Sequence, residues 1–133
     1  MTAPNLALAR LMSRVLAELR ARGAEVPEPP PYRKGHTDYA PMSPRGRYWI
    51  ADPERGVNVP DPRDDGWGPV LVMAAKRSGV AYMLGAEVRR GGWRAVGHTD
   101  EGVDICWPKP GGELSPTMTE AVTRALAAAL GVE

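Results

Sequence analysis

Between Val80 and Trp107 apolar and polar residues alternate around two glycine-bearing turns, a period of two that restricts this stretch to antiparallel strands. Arg90-Gly91-Gly92-Trp93 reads as a two-residue hairpin turn, because either glycine accepts the positive φ that such turns need. If Arg90 faces Trp93, then Val88 faces Ala95, Ala86 faces Gly97 and Leu84 faces Thr99. Asp100-Glu101-Gly102 reads as a three-residue loop that sets Thr99 opposite Val103 and His98 opposite Asp104. The two turns together assign Tyr82, Leu84, Val88, Trp93, Val103, Ile105 and Trp107 to a face for burial. Met83, Glu87, Arg89, Arg94, Val96, His98, Asp104 and Cys106 take the other face.

Both ends of the chain carry helical periodicity instead. Leu8, Leu11, Met12, Val15, Leu16 and Leu19 recur at three- and four-residue steps, which predicts a helix over 5–22, capped by Asn5 and ended by Gly23. Thr117-Met118-Thr119-Glu120 reads as a capping box, and Met118, Val122, Leu126 and Leu130 then mark one stripe of a helix over 115–130. Arg47 to Ala51 reads as a short strand. Pro69 to Ala75 is apolar at nearly every position, as expected of a strand covered on both faces. The expected fold is α+β in one domain spanning 1–133. It has an antiparallel sheet of about four to five strands within 47–107, including a meander from 69 to 107, and terminal amphipathic helices packed on one face.

Long proline-rich loops complete this reading. Pro27, Pro29, Pro30, Pro31, Pro41 and Pro44 fall within 26–46, and proline withholds the amide hydrogens that helices and central strands require. A second loop, over 52–68, is rich in turn residues and locally acidic. Loops of such length inside a compact domain are commonly binding elements. Pro29-Pro30-Pro31-Tyr32 also matches the P-P-x-Y pattern that offers a tyrosine to an aromatic groove, against the plainer reading of a stiff connector. Tyr32, Tyr39, Trp49 and Trp67 are therefore candidate contacts for a partner, although for Trp49 and Trp67 the favoured reading is a plug beneath the loops. Arg89 and Arg94 fall opposite each other in the expected register, where like charges repel unless an anion or Glu87 lies between them.

Both histidines of the chain lie in the same tetrapeptide, Gly-His-Thr-Asp, at 35–38 and 97–100. A His-x-Asp pair on extended chain points both side chains one way, so His36, Asp38, His98 and Asp100 form a candidate ligand set for a divalent metal that could activate water. The plainer reading is that each Thr-Asp opens a turn. A second candidate is a cysteine nucleophile, with Asp104 orienting His98 beside Cys106. Its plain counterpart is a cross-strand His-Asp pair next to a half-buried thiol.

Acids and bases nearly cancel, 16 against 17, so no overall field draws the chain to phosphate backbones and nucleic acid is not the expected partner. A single cysteine excludes an internal disulfide and a thiolate-rich zinc site. No apolar run is long enough to cross a bilayer. These features lead to an expectation of a small non-enzymatic module that binds another protein or copies of itself, with no cofactor. Its expected setting is the cytoplasm, or a virion if it is a structural subunit such as a phage head or tail connector. An inhibitor or immunity-type protein fits the same outline, and a metal-dependent hydrolase built on the two tetrapeptides is the alternative.

Overall fold

The computed structural model describes residues 5–33, 38–39 and 47–132, with backbone only at 38–39. Three helices and two small antiparallel sheets follow one another along the chain. They are α1 (Leu6–Ala21), β1 (Asp38–Tyr39), β2 (Trp49–Asp52), β3 (Val57–Pro60), α2 (Trp67–Arg77), β4 (Met83–Arg89), β5 (Gly92–His98), β6 (Asp104–Trp107) and α3 (Met118–Leu130). The first sheet is the hairpin β2–β3 with the two-residue β1 alongside β2, and the second is the meander β4–β5–β6.

Local chemistry explains where α1 and α3 begin and end. The Asn5 side chain accepts the Leu8 amide at 3.1 Å, and the Thr117 hydroxyl accepts the Glu120 amide at 3.1 Å. Each satisfies one of the amides left unpaired in a first helical turn. Gly23 and Gly131, both at positive φ, follow the two C-termini.

Two expectations about the middle of the chain need correction. The expected strand over Pro69–Ala75 is helix α2, and the expected single sheet divides into two, so the second sheet begins at Met83 rather than at 69. A short apolar run does not by itself distinguish a covered strand from a covered helix, and Pro69 sits in the first helical turn, where a missing amide hydrogen costs nothing. The buried residues Trp67, Leu71, Ala74 and Ala75 fall at helical spacing, while Met73 faces outward. The loop expected over 52–68 contains β3, because Val57-Asn58-Val59 pairs back onto β2 as Asp52↔Val57, Ala51↔Asn58 and Ile50↔Val59. In the proline-rich arm, the described part is tied down. Arg20 donates to the Pro27 carbonyl at 3.2 Å and the Asn58 amide to the Pro30 carbonyl at 2.8 Å.

In the meander, the first turn is Arg90-Gly91 rather than Gly91-Gly92, so Arg89 pairs with Gly92, Val88 with Trp93, Ala86 with Ala95 and Leu84 with Gly97. Gly91 takes φ +95 in the turn, and Gly92, at φ +159, opens the next strand, where a Cβ would come within 2.6 Å of the Ser115 carbonyl oxygen and 2.8 Å of the Leu114 side chain, so the position requires glycine. The register therefore moves by two residues, and an even shift leaves every side chain on its original face. The second turn pairs His98 with Asp104 and bonds the Thr99 amide to the Val103 carbonyl at 2.9 Å.

Burial follows alternation at the centre of the sheet and fails at its ends. Leu84, Ala95 and Ile105 are buried, with Ala86, Trp93 and Trp107 packed partly against the same cluster, but Val88 and Val103 are exposed. Tyr82 breaks the alternation outright. It lies just before β4, and its amide donates to the His98 carbonyl at 2.9 Å although Met83 is the residue paired with His98. Tyr82 thereby turns toward His98, and their rings stack with centroids 5.5 Å apart.

The core forms around α3, which packs on all three strands of the meander and on α1 and α2. Helix α1 packs on α3 and on β3, where Ala9, Ile50, Val59 and Leu6 make a small satellite cluster. Seven residues of α3 are buried, on more than one stripe, as befits a helix wedged between layers. The hydroxyl of buried Thr123 donates to the Thr119 carbonyl at 2.7 Å, which keeps that polar group satisfied.

Candidate binding surface on the second sheet

Strand β4 is one edge of the meander, and the direction of its free backbone groups follows from the hydrogen bonds of β5. The Thr99 amide points to Val103, on the β6 side, and successive residues of a strand alternate in direction. His98, Val96 and Arg94 therefore bond toward β4, where their partners are Met83, Gly85 and Glu87. The backbone groups of the intervening Leu84, Ala86 and Val88 point away from β5, along an edge that pairs with no other strand among the described residues.

Large apolar side chains line this edge in the open. Tyr82 is 66 % exposed, Met83 56 % and Val88 65 %. Next to them, Met83, Gly85, Glu87, Val96, His98 and, from α2, Lys76 border a shallow hollow of about 330 Å3. Gly85 supplies its floor, since a Cβ there would meet no atom within 4 Å. Charge is arranged around the same strand. Glu87 accepts from Arg89 at 2.8 Å and stands opposite Arg94, whose buried Nε has no hydrogen-bond partner among the described residues. Arg89 and Arg94 are thus not opposite each other as the sequence suggested, because the two-residue shift brings Arg94 to Glu87 and Arg89 to Gly92.

His98 is held rather than poised. A carbonyl can only accept, so the 3.1 Å contact with the Thr99 carbonyl fixes the ring proton on Nδ1 and leaves Nε2 as the open nitrogen. Asp104 lies across the strands in register, yet no hydrogen bond or ion pair joins it to His98. The Cys106 thiol donates to the Pro108 carbonyl at 3.3 Å instead of engaging the imidazole. A nucleophile-base pair requires contact between thiol and ring, and this arrangement does not supply it.

Of the metal candidates, His36 and the side chain of Asp38 lie outside the described residues; the Asp38 backbone pairs in the first sheet, whereas His98 ends β5 of the second and Asp100 lies in the turn after it. Among the described residues no group of three His, Cys, Asp or Glu side chains is placed to hold an ion. The second Gly-His-Thr-Asp has local roles instead. Gly97 lets the chain pass close to Met83 and Leu84, and the Thr99 hydroxyl accepts the Val103 amide at 3.1 Å across the turn.

The aromatic partner candidates divide in the same way. Trp49 and Trp67 are buried edge to face with ring centroids 5.0 Å apart, and the Trp67 indole donates to the Tyr48 carbonyl at 3.0 Å. They are plugs of the core. Tyr32 is half-buried, and the Tyr39 side chain lies outside the described residues.

Sequence reading missed a charged link between α1 and the first sheet. Arg10 donates to both carboxylate oxygens of buried Asp52, at 2.7 and 2.8 Å, and to Glu54 at 3.0 Å. The guanidinium holds the Asp52 carboxyl below its ordinary range, against the opposing effect of burial, and Arg10 is raised in turn chiefly by its bond to Asp52. Only pairing across 42 residues brings these groups together, so no local spacing announces them. No described helix is long and apolar enough to cross a membrane. Comparison with protein-family models, curated proteins and solved structures finds no match for this chain.

Proposed function

We propose that this protein is a small non-enzymatic binding module, one subunit of a larger assembly, that engages its protein partner by strand addition at β4. The observation that carries this reading is the β4 edge, which pairs with no other strand among the described residues and has Tyr82, Met83 and Val88 exposed along it. Natural sheets blunt such edges or use them, and an added strand would satisfy the Leu84, Ala86 and Val88 backbone groups while covering the apolar side chains. The hollow over Gly85 would receive one side chain of the incoming strand, and Glu87 with Arg89 would set its register by charge. The tethering of Pro27 and Pro30 favours this edge over the described part of the proline-rich arm as the docking element.

The test uses two substitutions that spare the β5 side of the strand. Ala86→Pro removes an outward amide, and Val88→Lys places a charge on the edge. Affinity capture from the native host with the full chain should yield a partner that both variants lose while their circular dichroism stays unchanged. Sedimentation of the pure protein separates a foreign partner from a second copy. Capture and self-association that are both indifferent to the two changes would refute strand addition at β4.

A further inference from the structure

A second hollow, of about 460 Å3, lies between α1 and α3 and shares no residue with the β4 surface. On α1, Ala7, Leu11 and Arg14 recur at four- and three-residue steps and so share one side of the helix. On α3, Arg124, Ala127 and Ala128 do the same, and Trp107 and Val132 complete the lining. Its three alanines leave space that larger side chains would fill. The volume falls within the range of about 300–1,000 Å3 seen for small-molecule sites, which are mostly apolar with a few polar groups that fix orientation.

The charges at this hollow are not balanced. Arg14 is exposed and has no hydrogen bond or ion pair among the described residues; Glu18, one turn later, lies 3.9 Å from Arg22 instead. Among the described residues Arg124 has only Glu120, at 3.7 Å. Two guanidinium groups against one described carboxylate leave one positive charge beside an apolar floor. A guanidinium fork matches the two oxygens of a carboxylate, and a single surplus charge suits a monoanion better than a phosphate dianion.

We infer that this hollow binds a monocarboxylate with an apolar body, the head held by Arg14 and Arg124 and the body lying on Leu11, Ala127, Ala128 and Trp107. Decanoate, used below its micelle concentration, is the probe for the full chain. Calorimetry should show saturable binding, and indole emission should change in a manner that Trp107→Phe abolishes. Acetate, which lacks the body, and decanol, which lacks the charge, should each bind at least about tenfold more weakly, as expected when one part of an amphipathic contact is missing. Arg14→Gln should raise the dissociation constant about tenfold with the melting temperature unchanged, and Arg14→Lys should raise it less. No saturable decanoate binding would overturn the inference. So would decanol binding as tightly as decanoate, Arg14→Gln without effect, or an emission change that survives Trp107→Phe.

Discussion

Two glycines on neighbouring strands of the meander should respond in opposite directions to the same substitution. At Gly97 an added Cβ would overlap the Met83 carbonyl oxygen and stand 2.9 Å from the Leu84 Cα, so the obstacles are backbone atoms of β4 that no rotamer change can move. This close approach lies beside the start of β4, where the Tyr82 amide donates to the His98 carbonyl and Met83 pairs with His98. At Gly85 a Cβ would meet nothing within 4 Å, and the glycine there carries only its entropic cost. Overpacking against fixed atoms costs about 1–3 kcal/mol, and relieving a mid-strand glycine returns about 0.5–1 kcal/mol. Gly97→Ala should therefore be about 1.5–4 kcal/mol less stable than Gly85→Ala, a difference of about 0.5–4 M in urea midpoint at a typical slope of about 1–3 kcal/mol/M. Urea titrations followed by far-ultraviolet circular dichroism measure this directly. Equal midpoints, or a Gly97→Ala protein at least as stable as the parent, would show that β4 and β5 do not approach as described.

The Arg10–Asp52 link makes stability depend on pH. Because Asp52 titrates below its ordinary value of 3.8 in the folded chain, its contribution is complete above that pH and is lost as pH falls through the depressed folded value. Thermal melts of the parent should thus decline in acid, and Asp52→Asn, already weakened at neutral pH, should show a shallower decline; parallel acid limbs would count against the pair. Trp67 is fully buried against Trp49 and donates to the Tyr48 carbonyl, so Trp67→Ala should cost about 3–5 kcal/mol in chemical unfolding. A loss below about 1 kcal/mol, the range of surface changes, would contradict its place in the core.

The parts of the fold legible in the sequence are those written within a few residues. Asn5 and Thr117 accept amides three positions on, and the Asp100–Gly102 loop fixes its neighbours by its length alone. The first hairpin shows how narrow this is. Either Gly91 or Gly92 could open the turn by local rules, and the observed Arg90-Gly91 turn leaves Gly92 against Leu114 and Ser115, a contact that no local signal encodes. The repeated Gly-His-Thr-Asp drew attention as chemistry, but in its second copy Gly97 and Thr99 answer to backbone crowding and turn closure.

From its own order of residues, then, the chain determined its helix caps, its terminal amphipathic helices and the alternating faces of the meander, because capping, turn formation and pleating act over neighbouring positions. Only the tertiary structure decided that Trp67–Arg77 coils rather than extends and that the sheet divides in two. It also left Tyr82, Val88 and Val103 in the open. Those outcomes depend on what packs over each residue in space: α3 lies on all three strands, yet Val88 and Val103, beside the two turns, stay exposed whatever their sequence neighbours imply.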